Sequence, residues 1–341
     1  MGKIALGFAA VAAFLLTVAM LFTAGWTAPP IHGAQAGYRG LELIQLSTPE
    51  SERLLKLANV LPDAIDKASP DGDRATAVYQ NVQVLTDLSS DQLLRVMLGF
   101  ASWVAPADIG CPYCHNPDNL ADDGKYTKRV ARRMLQMVRH INKDWQAHVA
   151  ATGVTCYTCH RGQPVPSKIW FAGEPPKAVG FAATNYGMGH PNQVNGSTAM
   201  ATDPFSGLLA DKAVIRVQAT QALPTGLGAS IQSTENTYSL MMAISSSLGV
   251  NCTFCHNSRE FRQWDGAPPQ RVTAWQGLQM VRDLNGNYLT PLKAEFPANR
   301  LGPTGDGPKL YCATCHQGAS KPLLGVSMAK DWPELGGVAK P

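Results

Sequence analysis

The sequence predicts a mostly α-helical fold with long irregular connections, arranged as two pseudo-symmetric halves. Three observations predict it. Apolar residues recur at helical spacing in four runs, and no alternating strand-like run of any length competes with them. Gly occupies 31 and Pro 24 of the 341 positions, so the helices should be short and the connections between them long. Finally, a pentapeptide, Cys-x-x-Cys-His, occurs four times, each copy behind a helical run, and the segment between the first two copies recurs between the last two.

Taken in order, the chain opens on an uncharged apolar run from Ile4 to Trp26 behind a single Lys3. A secretory signal has an apolar region of about 7–15 residues and a small-x-small cleavage site. This run is longer, close to the roughly 20 residues of a membrane-spanning helix, and no such cleavage site stands clearly at its end. Trp26 sits where an interfacial aromatic belongs, and Pro29-Pro30 stops the helix. Residues 1–26 are therefore expected to form a transmembrane anchor or uncleaved signal, with Lys3 inside and the rest exported. Residues 27–46 read as an extended arm.

The first half runs from Ser47 to Pro166. Ser89 and Gln92 form a capping box, after which Leu93, Met97 and Phe100 recur at helical spacing up to Trp103. From Thr127, the positions Val130, Met134, Val138, Ile141 and Trp145 mark one long helix face. Residues 167–220, rich in Gly, Pro, Asn and Thr, read as a long ordered wrap joining the halves. In the second half, Gln221 to Pro322, the runs Ser233–Leu248 and Val272–Leu284 play the same parts. Residues 323–341 form a C-terminal tail. The duplication rests on Leu135-Gln136-Met137-Val138-Arg139, which returns unchanged as Leu278-Gln279-Met280-Val281-Arg282.

The four pentapeptides, Cys111/Cys114/His115, Cys156/Cys159/His160, Cys252/Cys255/His256 and Cys312/Cys315/His316, use all eight cysteines. Each is the attachment signature of c-type haem: two thiols bond the vinyl groups and the adjacent imidazole becomes the proximal iron ligand. Two four-cysteine zinc sites need no histidine after each pair, and disulfides give no reason for one. Four covalent haems follow, and with them a role in electron handling. The formal charge of +4 is misleading, because eight propionates take it to about −4. With no Lys/Arg run and no basic-aromatic stretch, nucleic acid is excluded as a partner.

Low-spin electron-transfer haem takes a sixth ligand, Met or His, whereas Met on a helix is by default core filling. Before the first site, Met97 is the helix methionine. Before the third, Met241 and Met242 are adjacent and point to different faces, so only one can ligate. For the second site the candidates are Met134 and Met137. Aligning the repeated pentapeptide sets Met137 on Met280 and Met134 on Gly277. If Met134 serves the second haem, the fourth has lost its equivalent methionine to glycine, and its iron takes another ligand or stays open. Outside the motifs lie His32, His140, His148 and His190.

At this point the chain resembles the tetrahaem cytochrome subunit of purple-bacterial photosynthetic reaction centres, from about Gly37 to the C-terminus. The likeness rests on the duplication and on the runs Tyr238-Ser-Leu-Met-Met-Ala-Ile, Asn251-Cys-Thr-Phe-Cys-His-Asn and Cys312-Ala-Thr-Cys-His-Gln-Gly. The resemblance implies three His/Met haems and one bis-His haem. Carried over by position, the sixth ligands become Met97, Met134 and Met241, with His148 serving the fourth haem and His140 as its alternative. It further implies a multihaem cytochrome c on the periplasmic face of the photosynthetic inner membrane, bound to the L and M subunits (with H). There it re-reduces the bacteriochlorophyll special pair with electrons from a soluble cytochrome c or a high-potential iron-sulfur protein. The resemblance thus implies an electron-transfer subunit rather than an enzyme. In the family the third haem lies nearest the special pair, and Arg271 is a candidate to raise its potential. Many members carry a lipidated cysteine, which is missing here, in keeping with a protein anchor. The competing readings are a periplasmic tetrahaem wire in respiration and a multihaem reductase, the latter needing an iron with an open position.

Overall fold

The computed structural model describes residues 2–23, 31–35, 44–173, 203–215 and 231–336. Trp26, Pro29, Pro30, His190 and most of the connecting segment lie outside them. Helix α1 spans Gly2–Thr23. Its stretch Ala5–Thr23 has a mean hydropathy of 2.4 and none of it is buried. At 1.5 Å per residue such a helix is roughly 30 Å long, the thickness of a bilayer's hydrocarbon core. An apolar helix bare on every side is stable in lipid, where its backbone groups are satisfied internally.

The arm contains a structure that the sequence did not signal. Strand β1 (His32–Gln35) pairs antiparallel with β2 (Ile44–Ser47), His32 facing Ser47 and Gln35 facing Ile44. Four-residue strands are too short for alternation to stand out. Gln45 accepts the Asn251 backbone N–H at 2.7 Å, which ties this ribbon to the third motif. Helix α2 (Pro49–Ala58) starts from a reciprocal Thr48/Ser51 cap, and α3 is the short turn Ala75–Val78.

Helix α4 (Ser90–Trp103) begins where its capping box predicts: the Gln92 N–H donates to Ser89 Oγ at 3.2 Å, and the Ser89 N–H donates to Gln92 Oε1 at 3.1 Å. It buries Leu93, Val96 and Trp103. Helix α5 (Tyr126–Asp144) is followed by α6 (Gln146–Val149) and α7 (Cys156–His160). The second group is α8 (Ile231–Leu248), α9 (Gln270–Leu284) and α10 (Cys312–His316). The duplicated pentapeptide does the same work twice. Leu135, Met137 and Val138 on α5 are buried, as are Leu278, Met280 and Val281 on α9. Arg139 donates to the carbonyls of Val84 and Gly336, and Arg282 to those of Leu208 and Ala213.

The stretch that the sequence marks as a tail begins as core. Trp332 meets Trp103 edge-on with centroids 4.4 Å apart. Gly99 leaves room for it, since a Cβ there would lie 2.9 Å from Trp332 Cη2. Arg95 Nη1 donates to both Glu334 oxygens at 3.0 and 2.9 Å, and the guanidinium stacks over Trp332. These side chains are 3% and 2% exposed, so the pair is a fully desolvated clasp between α4 and the end of the chain. The segment has no helical or strand period, which is why its burial was not legible.

Candidate functional site

The four motifs fall into two geometric kinds. Cys111–Tyr113 and Cys252–Phe254 form single 3₁₀ turns, and the histidine after each bonds a carbonyl five residues on: His115 Nδ1 to Leu120 O at 3.0 Å and His256 Nδ1 to Phe261 O at 2.7 Å. The second and fourth motifs are one-turn helices, α7 and α10. In each, a threonine closes the first turn: the Thr155 N–H donates to Thr158 Oγ1 at 2.9 Å, and the Tyr311 N–H to Thr314 Oγ1 at 3.0 Å. Each turn ends on a left-handed residue, Arg161 (φ 52) or Gln317 (φ 47), followed by a glycine also at positive φ. Here the histidine bonds a carbonyl three residues on: His160 Nδ1 to Gln163 O and His316 Nδ1 to Ala319 O, both at 2.9 Å.

One consequence is shared by all four. A carbonyl can only accept, so Nδ1 carries the proton and Nε2 keeps its lone pair, the tautomer that binds a metal. Burial pushes His160 and His256 below the usual histidine range, and His316 down to about 4. These rings are therefore neutral at pH 7, as ligation requires.

Met97, His115, Met134 and His160 line one cavity of about 740 Å³, together with the cysteines Cys111, Cys114, Cys156 and Cys159. Two equivalent hydrogen bonds fix the register of the methionine helices against α7 and α10. The Gly162 N–H donates to Trp103 O at 3.0 Å, and the Gly318 N–H donates to Ser247 O at 2.8 Å. Met97 lies six residues before Trp103, and Met241 six before Ser247. The structure thus sets Met241, rather than Met242, at the position equivalent to Met97, and Met241 packs against the core.

The two non-motif histidines on α5 and α6 differ sharply. His140 has both ring nitrogens engaged by carboxylates, Nε2 with Asp283 at 2.6 Å and Nδ1 with Asp144 at 2.8 Å. His148 shares the motif geometry, its Nδ1 donating to Thr273 O at 2.9 Å, and burial lowers its pKa. Its ring centroid lies 6.1 Å from that of His316. Two metal–imidazole bonds of about 2 Å each fit between rings at that separation. His148 sits directly on Gly277, where a Cβ would come within 2.4 Å of its Cε1.

The second and fourth motifs meet. Cys159 and Cys315 are joined as a disulfide, with Cα atoms 4.3 Å apart, and the other six cysteines are free. A sulfur in a disulfide cannot also hold a vinyl thioether, so haem attachment at both sites needs this pair as thiols. Two side chains cross at this contact: Arg161 Nη2 donates to Cys315 O at 3.2 Å, and Gln317 Nε2 to Cys159 O at 3.5 Å. Zinc fits poorly. Among the described residues no three of His, Cys, Asp and Glu cluster as a metal site, and burial pushes the Cys156 thiol up to about 12, away from the thiolate that zinc demands. Haem fits the donor set. Beside the oriented imidazoles, the buried donors Trp103 Nε1, Arg161 Nε and Arg161 Nη1 have no acceptor among the described residues, and propionates are acceptors of the right chemistry.

Arg271, in the first turn of α9, stacks over Trp264 at 4.4 Å. It donates to the Gln263 carbonyl and, at 3.0 Å, to that of Arg262. A cation is disfavoured at a helix N-terminus, and these loop contacts hold it there. Arg161 escaped the sequence reading, although one signal was available: the repeat sets it on Gln317, a charge against a neutral amide.

Residues 27–336 match the family model described as photosynthetic reaction centre cytochrome C subunit. The photosynthetic reaction center cytochrome c subunit of Rubrivivax gelatinosus is 49% identical over 94% of this chain and 88% of its own length. That of Thermochromatium tepidum is 44% identical over 94% and 79%, and that of Roseobacter denitrificans 44% over 78% and 75%.

Proposed function

From the premise that this chain belongs to the photosynthetic reaction centre cytochrome c subunit family, we propose that it re-reduces the photo-oxidised bacteriochlorophyll special pair through four covalent haems. Membership itself makes the chain a mostly helical cytochrome c with covalently bound c-type haem, associated with the reaction centre at the membrane and transferring electrons to it. The finer reading goes further. The chain binds the periplasmic face of the L and M subunits (with H). It draws electrons from a soluble cytochrome c or a high-potential iron-sulfur protein, and α1 anchors it in the bilayer.

The observation that carries this reading is the shared geometry of the four motif histidines, each with Nδ1–H on a backbone carbonyl and Nε2 free. When bound, each haem supplies a one-electron couple. The cysteines would hold it, and the residues that would ligate its iron are His115 with Met97, His160 with Met134, His256 with Met241, and His316 with His148. Methionine ligation raises a haem potential relative to histidine, so His148 makes the fourth site the low one among otherwise similar sites. The apolar walls around Met97 and Met134 withhold water that would favour the ferric state. The two kinds of motif, one of each per half, support a duplicated arrangement with two haems in each. A flash-absorption trace on native membranes tests the reading: haem oxidation should follow special-pair oxidation with matching amplitude. A flash that oxidises the pair and leaves these haems reduced would refute it.

A further inference from the structure

We propose that Arg161, contributed by the second haem site, holds a propionate of the fourth haem and raises that haem's reduction potential. The inference rests on the four-haem reading and concerns a residue outside the axial sets. The guanidinium is anchored on the fourth site's backbone, with Nη2 donating to Cys315 O at 3.2 Å, one residue before His316, and to Asn59 Oδ1 at 3.2 Å. Its remaining donors, Nε and Nη1, are buried and find no acceptor among the described residues. Leaving two charged donors dry and unpaired is costly. Other desolvated arginines show what is missing: Arg95 is matched by Glu334 and Arg139 by Asp87, while Arg282 is held by the carbonyls of Leu208 and Ala213. No carboxylate among the described residues pairs with Arg161, whose guanidinium lies 5.7 Å from the centre of the Tyr157 ring. The carboxylates that this place gains are those that come with covalent haem, and a guanidinium is the side chain suited to hold one.

The sign of the effect follows from charge. A ferric haem carries one more positive charge than a ferrous one, so a fixed cation nearby disfavours oxidation, and a neutralised propionate stabilises ferric iron less. Arg161 therefore offsets part of the low potential that a His148/His316 pair imposes. The duplicated position in the fourth motif holds Gln317, which reaches back to Cys159 O without a charge, so the second haem receives no such help.

The test is a spectroelectrochemical titration of the holoprotein. His148→Met first marks the step of the fourth haem. In Arg161→Gln, that same step should move by about tenfold in its equilibrium constant toward the oxidised form, which is about 59 mV for one electron, while four haems are retained and the other three steps hold. Gln317→Arg serves as a gain-of-function counterpart that needs no loss of packing: it should raise the second haem's step by a comparable amount. An unmoved fourth step in Arg161→Gln, or movement of a different step, overturns the proposal, as does an unchanged titration of Gln317→Arg. A wild-type titration without four one-electron steps would instead sink the four-haem reading itself, so the two failures are distinguishable.

Discussion

The ring of His148 rests on Gly277: a methyl group at that glycine would stand 2.4 Å from Cε1, 2.8 Å from Nδ1 and 2.9 Å from Nε2. Where α5 carries Met134, α9 has a glycine at the matching place in the repeated sequence, and the ring of His148 on α6 fills the space. The glycine thus makes room for the ring of His148.

Gly277→Ala should therefore push His148 off its position. In the oxidised protein, electron paramagnetic resonance and the near-infrared Met-to-iron band should show three His/Met haems and one bis-His haem. The bis-His signature alone should be lost in the variant. Four equal His/Met signals in the wild type would sink the assignment, and an unaltered bis-His signal in Gly277→Ala would show that the contact does not position the ligand.

The clasp between Arg95 and Glu334 is a stability prediction. Removing one partner of a buried pair leaves the other charged and dry, at a cost of about 3–5 kcal/mol. Arg95→Met should lose about that much in denaturant unfolding, more than removal of the exposed pair Arg53–Glu50, which water and salt screen. Equal, small losses would mean that water reaches the clasp.

Much of the site was legible because its chemistry is written locally. The capping box at Ser89, the repeated Leu-Gln-Met-Val-Arg and the Met134/Gly277 mismatch each depend on residues within a turn or two of one another. The β1–β2 ribbon, the Arg95–Glu334 clasp and the meeting of Arg161 with Cys315 join residues far apart in sequence and leave no period to read. Met241 and Met242 show the boundary. Neighbours on a helix differ by about 100° in direction, which spacing cannot resolve, whereas the Gly318-to-Ser247 hydrogen bond fixes the register.

His140 links α5 to α9 in a pH-dependent way. Burial works against its protonation, but the hydrogen bonds to Asp283 and then Asp144 outweigh it and hold its pKa above the ordinary 6.5. Asp283 is likewise held below 3.8, with burial opposing and His140 prevailing. A raised histidine contributes stability that is full below its unfolded pKa and is lost as pH rises through the folded one; the lowered aspartate contributes above 3.8 and loses its share on acidification. The pair should therefore stabilise most between these limits. Unfolding of the wild type and His140→Gln, compared at about pH 5.5 and about pH 8.5, should show the larger difference at the lower pH. A difference that grows at the higher pH would contradict the assignment.

Helix α1 exposes its apolar residues on all sides, which fits retention in a bilayer. Intact-mass measurement on protein purified from membranes should return the full chain plus four haems. A mass short by about the first two dozen residues would reveal a cleaved signal of the kind whose apolar region is usually about 7–15 residues long.

Arg271 offers the last test, at the proposed exit point for electrons. The third site should be the donor to the special pair, and a donor gains from a potential high enough to hold its electron until the pair is oxidised, yet below that of the pair. Arg271 is more than a solvated side chain at a helix start. Its guanidinium is pinned by the carbonyls of Arg262 and Gln263 and by the face of Trp264. Its charge reaches the motif: it opposes a positive charge on His256 and favours a negative one on Cys255. The same field disfavours ferric iron on that imidazole. Arg271→Leu should lower one high-potential step by about tenfold in equilibrium constant, about 59 mV, with Arg271→Lys closer to the wild type and binding to L and M intact. An unchanged titration with normal re-reduction after a flash would reduce Arg271 to a loop anchor.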